Sequence, residues 1–167
     1  SDSLITGMNI IDNLLLRDYK KLPFAKHSIV NRSAMRKNAK EKMQQYQVRA
    51  SGKSGVDTQV RLLSGGNQQK LIIARELTDS AKLIIASQPT RGLDIGATEF
   101  VRQQLINQRN AGKAVMLISA DLEEIMALSD RIAVLFGGKI VGVLSREEAT
   151  VQKIGLLMGG ISEEEEK

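Results

Sequence analysis

Cysteine is absent from the 167 residues, which excludes a disulfide framework, a thiolate nucleophile and any cysteine-bound zinc site. The single histidine, His27, excludes a metal site built on two histidines. Tryptophan is missing and aromatics make up 3% of the chain, too few for the stacking platform of single-strand nucleic-acid binders. The longest apolar runs, Ala114–Ile118 and Ile132–Phe136 among them, fall far short of the ~20 residues that cross a bilayer. The first residues carry no secretory-leader pattern, and the lack of disulfides fits a cytosolic setting.

What remains is ordinary for a soluble globular protein: 42% hydrophobic and 26% charged residues, in a length that can bury roughly 70% of the unfolded surface. The net charge of +5 is unevenly spread. Residues 1–60 hold 11 Lys and Arg against 5 Asp and Glu, a balance of +6, and the rest of the chain sums to −1. A basic face suits nucleic acid or anionic lipid headgroups, and equally a solvated helix surface.

Ile10, Ile11, Leu14, Leu15 and Leu16 give residues 8–17 a helical apolar face, interrupted at Pro23. Met35, Ala39, Met43 and Tyr46 recur at three- and four-residue steps, predicting an amphipathic helix over 31–48 with Arg36, Lys37, Lys40 and Lys42 on its outer side. Ala50–Asp57 is small, polar and glycine-containing, as in a loop. Beyond Arg61 the texture changes. Leu83–Ala86 and Ala114–Ile118 are candidate buried strands, a helix spans Ala97–Asn110, and another lies near Leu122–Leu128. Gly137-Gly138 between Ile132–Phe136 and Ile140–Leu144 is a two-residue hairpin signal. The expected fold class is α/β with a partly parallel sheet and a C-terminal hairpin: a helical portion at 1–60, an α/β portion at 61–158 and an acidic tail at 159–167.

Gly52-Lys53-Ser54 imitates the end of a phosphate-binding P-loop, G-x-x-x-x-G-K-[ST]. The first glycine of that pattern would fall at position 47, which is Gln47. The chain therefore lacks a P-loop. Leu63-Ser64-Gly65-Gly66-Asn67-Gln68-Gln69-Lys70 opens a helix that continues through Leu71, Ile72, Ala74 and Arg75. A serine hydroxyl, two glycines and the free N–H groups of a helix start suit an anion. They also suit an ordinary serine cap, and the residues alone leave both readings open.

Farther along, an apolar strand leads into Gln88-Pro89-Thr90-Arg91-Gly92-Leu93-Asp94. This order of motifs resembles the nucleotide-binding domain of ATP-binding-cassette transporters over about residues 3–158, most closely the simple-sugar and nucleoside importers. The resemblance implies that Ser64, Gly65 and Gly66 form the signature motif, which contacts the γ-phosphate of ATP held by the opposite domain, with Gln68 assigned to the same contact. It implies that Gly92, Leu93 and Asp94 form the loop crossing the domain interface. It implies ATP and Mg²⁺ as cofactors of the full assembly, on the cytoplasmic face of the cell membrane. The implied partners are a first nucleotide-binding domain in the same polypeptide, transmembrane permease subunits and, indirectly, a substrate-binding protein, with no nucleic acid. The family's P-loop strand and helix have no counterpart, so the chain resembles a segment from inside such a domain.

Where the family carries Asp-Glu after the apolar strand, for the magnesium shell and the attacking water, this chain has Ser87-Gln88. Where the family carries its switch histidine, Ser119-Ala120-Asp121-Leu122 supplies Ala120. Neither a neutral hydroxyl nor an amide replaces a carboxylate as anionic metal partner or proton acceptor. With Ser87, Gln88 and Ala120 at these positions, no catalytic residue is intact and no metal ligand is assigned. The expectation is a degenerate second domain of a tandem ATPase that donates its signature to the competent site. The alternative is a soluble cassette ATPase acting on nucleic acid or ribosomes.

Overall fold

A computed structural model describes residues 3–26, 29–50, 55–78 and 80–161. His27, Gly52-Lys53-Ser54 and the acidic run 163–166 lie outside the described residues. Contacts divide the chain into two compact units, one of residues 1–84 and 89–114, the other of residues 85–88 and 115–167.

The first unit begins with α1 (Ile10–Leu15), capped by Asn9, whose side chain accepts from Asp12 N at 2.8 Å. Asn13 is fully buried within it, accepting from Ile5 N at 2.9 Å and donating to the carbonyls of Ile5 and Asn9 at 3.0 Å each. Its amide thereby satisfies backbone groups that would otherwise be desolvated without a partner. A short antiparallel pair follows, β1 (Ala25–Lys26) with β2 (Ile29–Val30). Next comes α2 (Arg32–Gln45), begun where Asn31 accepts from Ala34 N at 3.0 Å. The sequence places this helix to within a few residues at each end. Arg36 on its outer face forks onto Asp57, which holds the guanidinium pKa above its ordinary value through hydrogen bonding and charge. Part of the expected 50–57 loop is a 3-10 turn at Gly55–Asp57, and a second 3-10 turn occupies Val60–Leu62.

Helices α3 (Gly65–Glu76) and α4 (Ile95–Asn110) complete this unit's core. Ile10, Ala39, Val60, Leu71, Ala74 and Val101 are fully buried together. At roughly 1.5–3 kcal/mol for each fully buried large aliphatic side chain, this shared core fixes α1, α2 and α3 against one another.

β3 (Leu83–Ser87) pairs with β4 (Ala114–Ile118). Ala114 N donates to Lys82 O at 2.9 Å and Gln88 N to Ile118 O at 2.7 Å, so the partners advance together, as in a parallel pair joined through a crossover helix. The expectation that these strands are buried is corrected. Leu83, Ile85, Met116 and Ile118 are all exposed, between 44% and 63%, so the apolar run of each strand marked its extent and not its burial.

In the second unit, α5 (Leu122–Leu128) precedes the hairpin of β5 (Arg131–Phe136) and β6 (Lys139–Ser145). The hairpin is antiparallel from Arg131↔Ser145 to Phe136↔Lys139. Gly137 and Gly138 have φ of +55° and +77°, the pair of positive values that a type I′ turn demands. α6 (Val151–Met158) packs its Ile154 and Leu157 with Ile132, Val134 and Leu144.

Candidate functional site

In the first unit the site is built on the start of α3. Ser64 is extended, with φ −62° and ψ 157°, and its Oγ accepts from Asn67 N at 3.4 Å and from Asn67 Nδ2 at 3.0 Å. With both acceptor sites used, the serine O–H remains to donate. Gly65 and Gly66 are the first two helical residues, whose N–H groups have no intrahelical acceptor. The two glycines differ. A Cβ on Gly65 would meet nothing within 4 Å, whereas one on Gly66 would meet Ala97 Cβ at 3.0 Å and Asp94 Oδ2 at 3.4 Å. Gln68 turns its amide onto the carbonyls of Leu63 and Val60, at 3.1 and 3.4 Å, so it holds the turn that precedes the helix. Lys70 lies 4.8 Å from the Phe100 ring centroid and ties α3 to α4.

The loop Gly92-Leu93-Asp94 belongs to the same unit. Gly92 has φ +73°, Leu93 N donates to Thr90 O at 3.1 Å, and Asp94 Oδ1 caps α4 by accepting from Ala97 N at 2.8 Å. The carboxylate thus bonds one helix start and lies beside Gly66 of another, where the N-terminal partial positive charges favour an anion. The start of α3 and the loop 92–94 are brought together through Gly66, Asp94 and Ala97.

The second unit holds the other predicted positions. Ser87 ends β3 and Gln88 follows with φ +47°, a left-handed conformation uncommon for a residue bearing a side chain. Its N–H donates to Ile118 O, so Gln88 sits beside the end of β4, next to Ser119. Ser119 Oγ accepts from Asp121 N at 3.0 Å, and Asp121 caps α5 by accepting from Glu124 N at 3.1 Å. Ala120 stands exposed between these two turns. Among the described residues no group of three or more His, Cys, Asp or Glu could hold a metal ion. Of Ser87, Gln88 and Ala120 only the first two carry a side-chain oxygen, and neither supplies the anionic carboxylate through which proteins commonly hold Mg²⁺.

A groove of about 260 Å³ also opens in the first unit, lined chiefly by Met8, Leu15, Leu16, Tyr19, Val30 and Met35, with Asp12 and Arg32. No helix among the described residues is long and apolar enough to cross a membrane.

No family model matches the chain. It is nevertheless 48% identical over 162 residues to the guanosine import ATP-binding protein NupO of Bacillus subtilis (strain 168), covering 97% of this chain and 31% of that protein. It is 44% identical over 159 residues to the nucleoside import ATP-binding protein NupA of Lactococcus lactis subsp. cremoris (strain MG1363), covering 95% and 31%. The dimeric post-hydrolysis structure of the ATP-binding cassette MJ0796, bound to ADP and Pi, superposes with a TM-score of 0.66 at 26% identity, over 86% of this chain and 59% of that one. The chain belongs to the ATP-binding-cassette family.

This cassette chain spans about a third of the length of the curated relatives it matches. Asn67 stands in the run quoted from the sequence, but no role was assigned to it there. Its Nδ2 is bonded to Ser64, and its Oδ1 accepts from Arg49 N at 2.7 Å. The only sequence signal for it was its place in the run after Gly66, where it reads as one more polar helix residue.

Proposed function

We propose that this chain is part of the ATP-binding subunit of an importer for simple sugars or nucleosides, coupling ATP binding and hydrolysis to transport. Relatives named for guanosine, nucleoside and ribose import support this substrate class. In this reading residues 1–60 are the helical subdomain, residues 61–158 the α/β remainder of the cassette and residues 159–167 an acidic tail. The partners are a first cassette in the same polypeptide, permease subunits and, through them, a substrate-binding protein. The subunit then works at the cytoplasmic face of the membrane, and the exposed Met8, Tyr19 and Val30 along the groove give the helical subdomain an apolar surface for the permease.

The chain's own ATP site is degenerate, with Ser87, Gln88 and Ala120 where the chemistry needs two carboxylates and an imidazole. Its signature, Ser64, Gly65, Gly66 and Gln68, completes the partner's site, and Gly92, Leu93 and Asp94 lie at the interface. The observation that carries the reading is the Ser64 hydroxyl, whose oxygen is occupied by Asn67 and whose proton remains for an acceptor. A donor aimed at phosphate charge is worth on the order of 10²-fold in turnover. In the assembled ATPase, Ser64→Ala should therefore lower ATP turnover by about that factor, while Gln88→Ala leaves it unchanged. The reverse pattern would refute the assignment.

A further inference from the structure

Serine at a helix start is ordinarily held by the backbone N–H three residues on. Here that bond is stretched to 3.4 Å, and the Asn67 side-chain amide supplies the shorter contact at 3.0 Å. Since N–H···O bonds centre near 2.9–3.0 Å, the orientation of Ser64 depends mainly on a neighbouring side chain. The other end of the same amide is also committed. Asn67 Oδ1 takes the N–H of Arg49 at 2.7 Å. Arg49 follows Val48, which is 5% exposed, and Tyr46 at the end of α2, which is 6% exposed, so its backbone is anchored in the core shared by α1, α2 and α3.

We infer that Asn67 is a positioning residue, a clamp whose amide nitrogen sets the Ser64 hydroxyl and whose oxygen fastens it to the chain leaving α2. The inference rests on the reading of Ser64 as a donor to the partner's nucleotide, and it adds how that donor is aimed. A planar amide fixes its two ends relative to each other, so a shift of the segment leaving α2 changes where the Ser64 proton points. Gln68 is placed differently, its Nε2 donating to the carbonyls of Leu63 and Val60 and not to Ser64.

The test is a double-mutant cycle in the assembled ATPase, read by ATP turnover, with hydrogen exchange at Arg49 N–H as an independent readout. Asn67→Ala removes both ends of the clamp at a helix position that tolerates alanine. It is expected to lower turnover about three- to tenfold, the range of one ordinary hydrogen bond. It should also speed Arg49 exchange, and it should deepen the loss caused by Ser64→Ala by less than about twofold. Asn67→Gln keeps both polar groups on a longer stem and should recover most of the turnover lost in Asn67→Ala. Additive losses for Ser64→Ala and Asn67→Ala, or full activity in Asn67→Ala, would overturn the inference. Unchanged Arg49 exchange with Ser64→Ala impaired would overturn the clamp alone. Unchanged turnover in Ser64→Ala would instead overturn the donor reading, and with it the functional half of this inference.

Discussion

Alanine placed at Gly65 and at Gly66 should have opposite effects on stability. Both residues lie in the first turn of α3 with no positive φ, so the intrinsic gain from replacing glycine, up to ~1 kcal/mol, is similar at each and cancels in the comparison. What differs is space: a methyl at Gly65 is unopposed, whereas one at Gly66 approaches Ala97 Cβ at 3.0 Å and Asp94 Oδ2 at 3.4 Å. Ala97 is 5% exposed and its N–H is bonded to Asp94, so relief requires the start of α4 to move. Overpacking of this kind costs about 1–3 kcal/mol, and that is the expected gap between the two variants. In a chain of this size each kcal/mol corresponds to roughly 2–4 °C. Thermal and urea unfolding of Gly65→Ala, Gly66→Ala and the double variant Gly66→Ala/Ala97→Gly would measure it. The double variant should be more stable than the sum of its parts, because Ala97→Gly vacates the volume the new methyl needs. If Gly66→Ala matched Gly65→Ala within about 0.5 kcal/mol, the packing argument would fail. Gly66→Asp should also cost ATP turnover, but it joins this clash to repulsion by Asp94, so Gly65 is the cleaner probe of how closely an anion approaches.

Titrated with Mg-ATP in a calorimeter, the chain by itself should show no micromolar site and no hydrolysis. It has no P-loop, and a helix start supplies only ~0.3–1 kcal/mol toward an anion against the ~8 kcal/mol of a micromolar complex; saturation in that range would refute the expectation. Glu148 and Ser145 cap each other, Ser145 N donating to Glu148 Oε2 at 2.9 Å and Glu148 N to Ser145 Oγ at 3.3 Å. The backbone bond first, then the hydroxyl, holds the Glu148 carboxyl below its ordinary 4.5. A carboxyl whose pKa is depressed on folding contributes stability above the unfolded value and loses it as pH falls through the folded one. The urea-measured gap between the parent and Glu148→Gln should therefore be present at neutral pH and close on acidification below that value; a gap that widens in acid would contradict the cause given.

The elements most legible in the sequence were those where a local rule and the packing agree. Met35 and Ala39 on α2 and Tyr46 at its C-terminal cap recur with the helical period and are all buried. Ala114–Ile118 is a strand over the anticipated residues, and Gly137-Gly138 makes the anticipated turn. α6 was missed because VQKIGLLM is short and its apolar residues run together, leaving only Thr150 before it and Gly159-Gly160 after it as punctuation. β1 and β2 have two residues each, too few for any alternation to register. At the site, the identities of Ser64, Gly65, Gly66 and Asp94 were legible. The closeness of Gly66 to Ala97 and the two-ended use of Asn67 were not. Both depend on where residues 31 or 18 positions away in sequence are brought by folding, and periodicity carries no such information.

The β3–β4 pair also governs the order in which this molecule can assemble. Closing it brings together strands separated by residues 88–113, whereas β5 and β6 are separated by Gly137-Gly138 alone. On loop-closure entropy the first costs roughly 2 kcal/mol more than the second. A two-residue hairpin closes in about 1–10 μs, and parallel pairings across a long crossover are intrinsically slower. During that delay Leu83, Ile85, Met116 and Ile118 belong to unpaired apolar segments, and afterwards they still face outward. Among the described residues β3 and β4 pair only with each other. The β3–β4 segments therefore stay unpaired longer than the hairpin does.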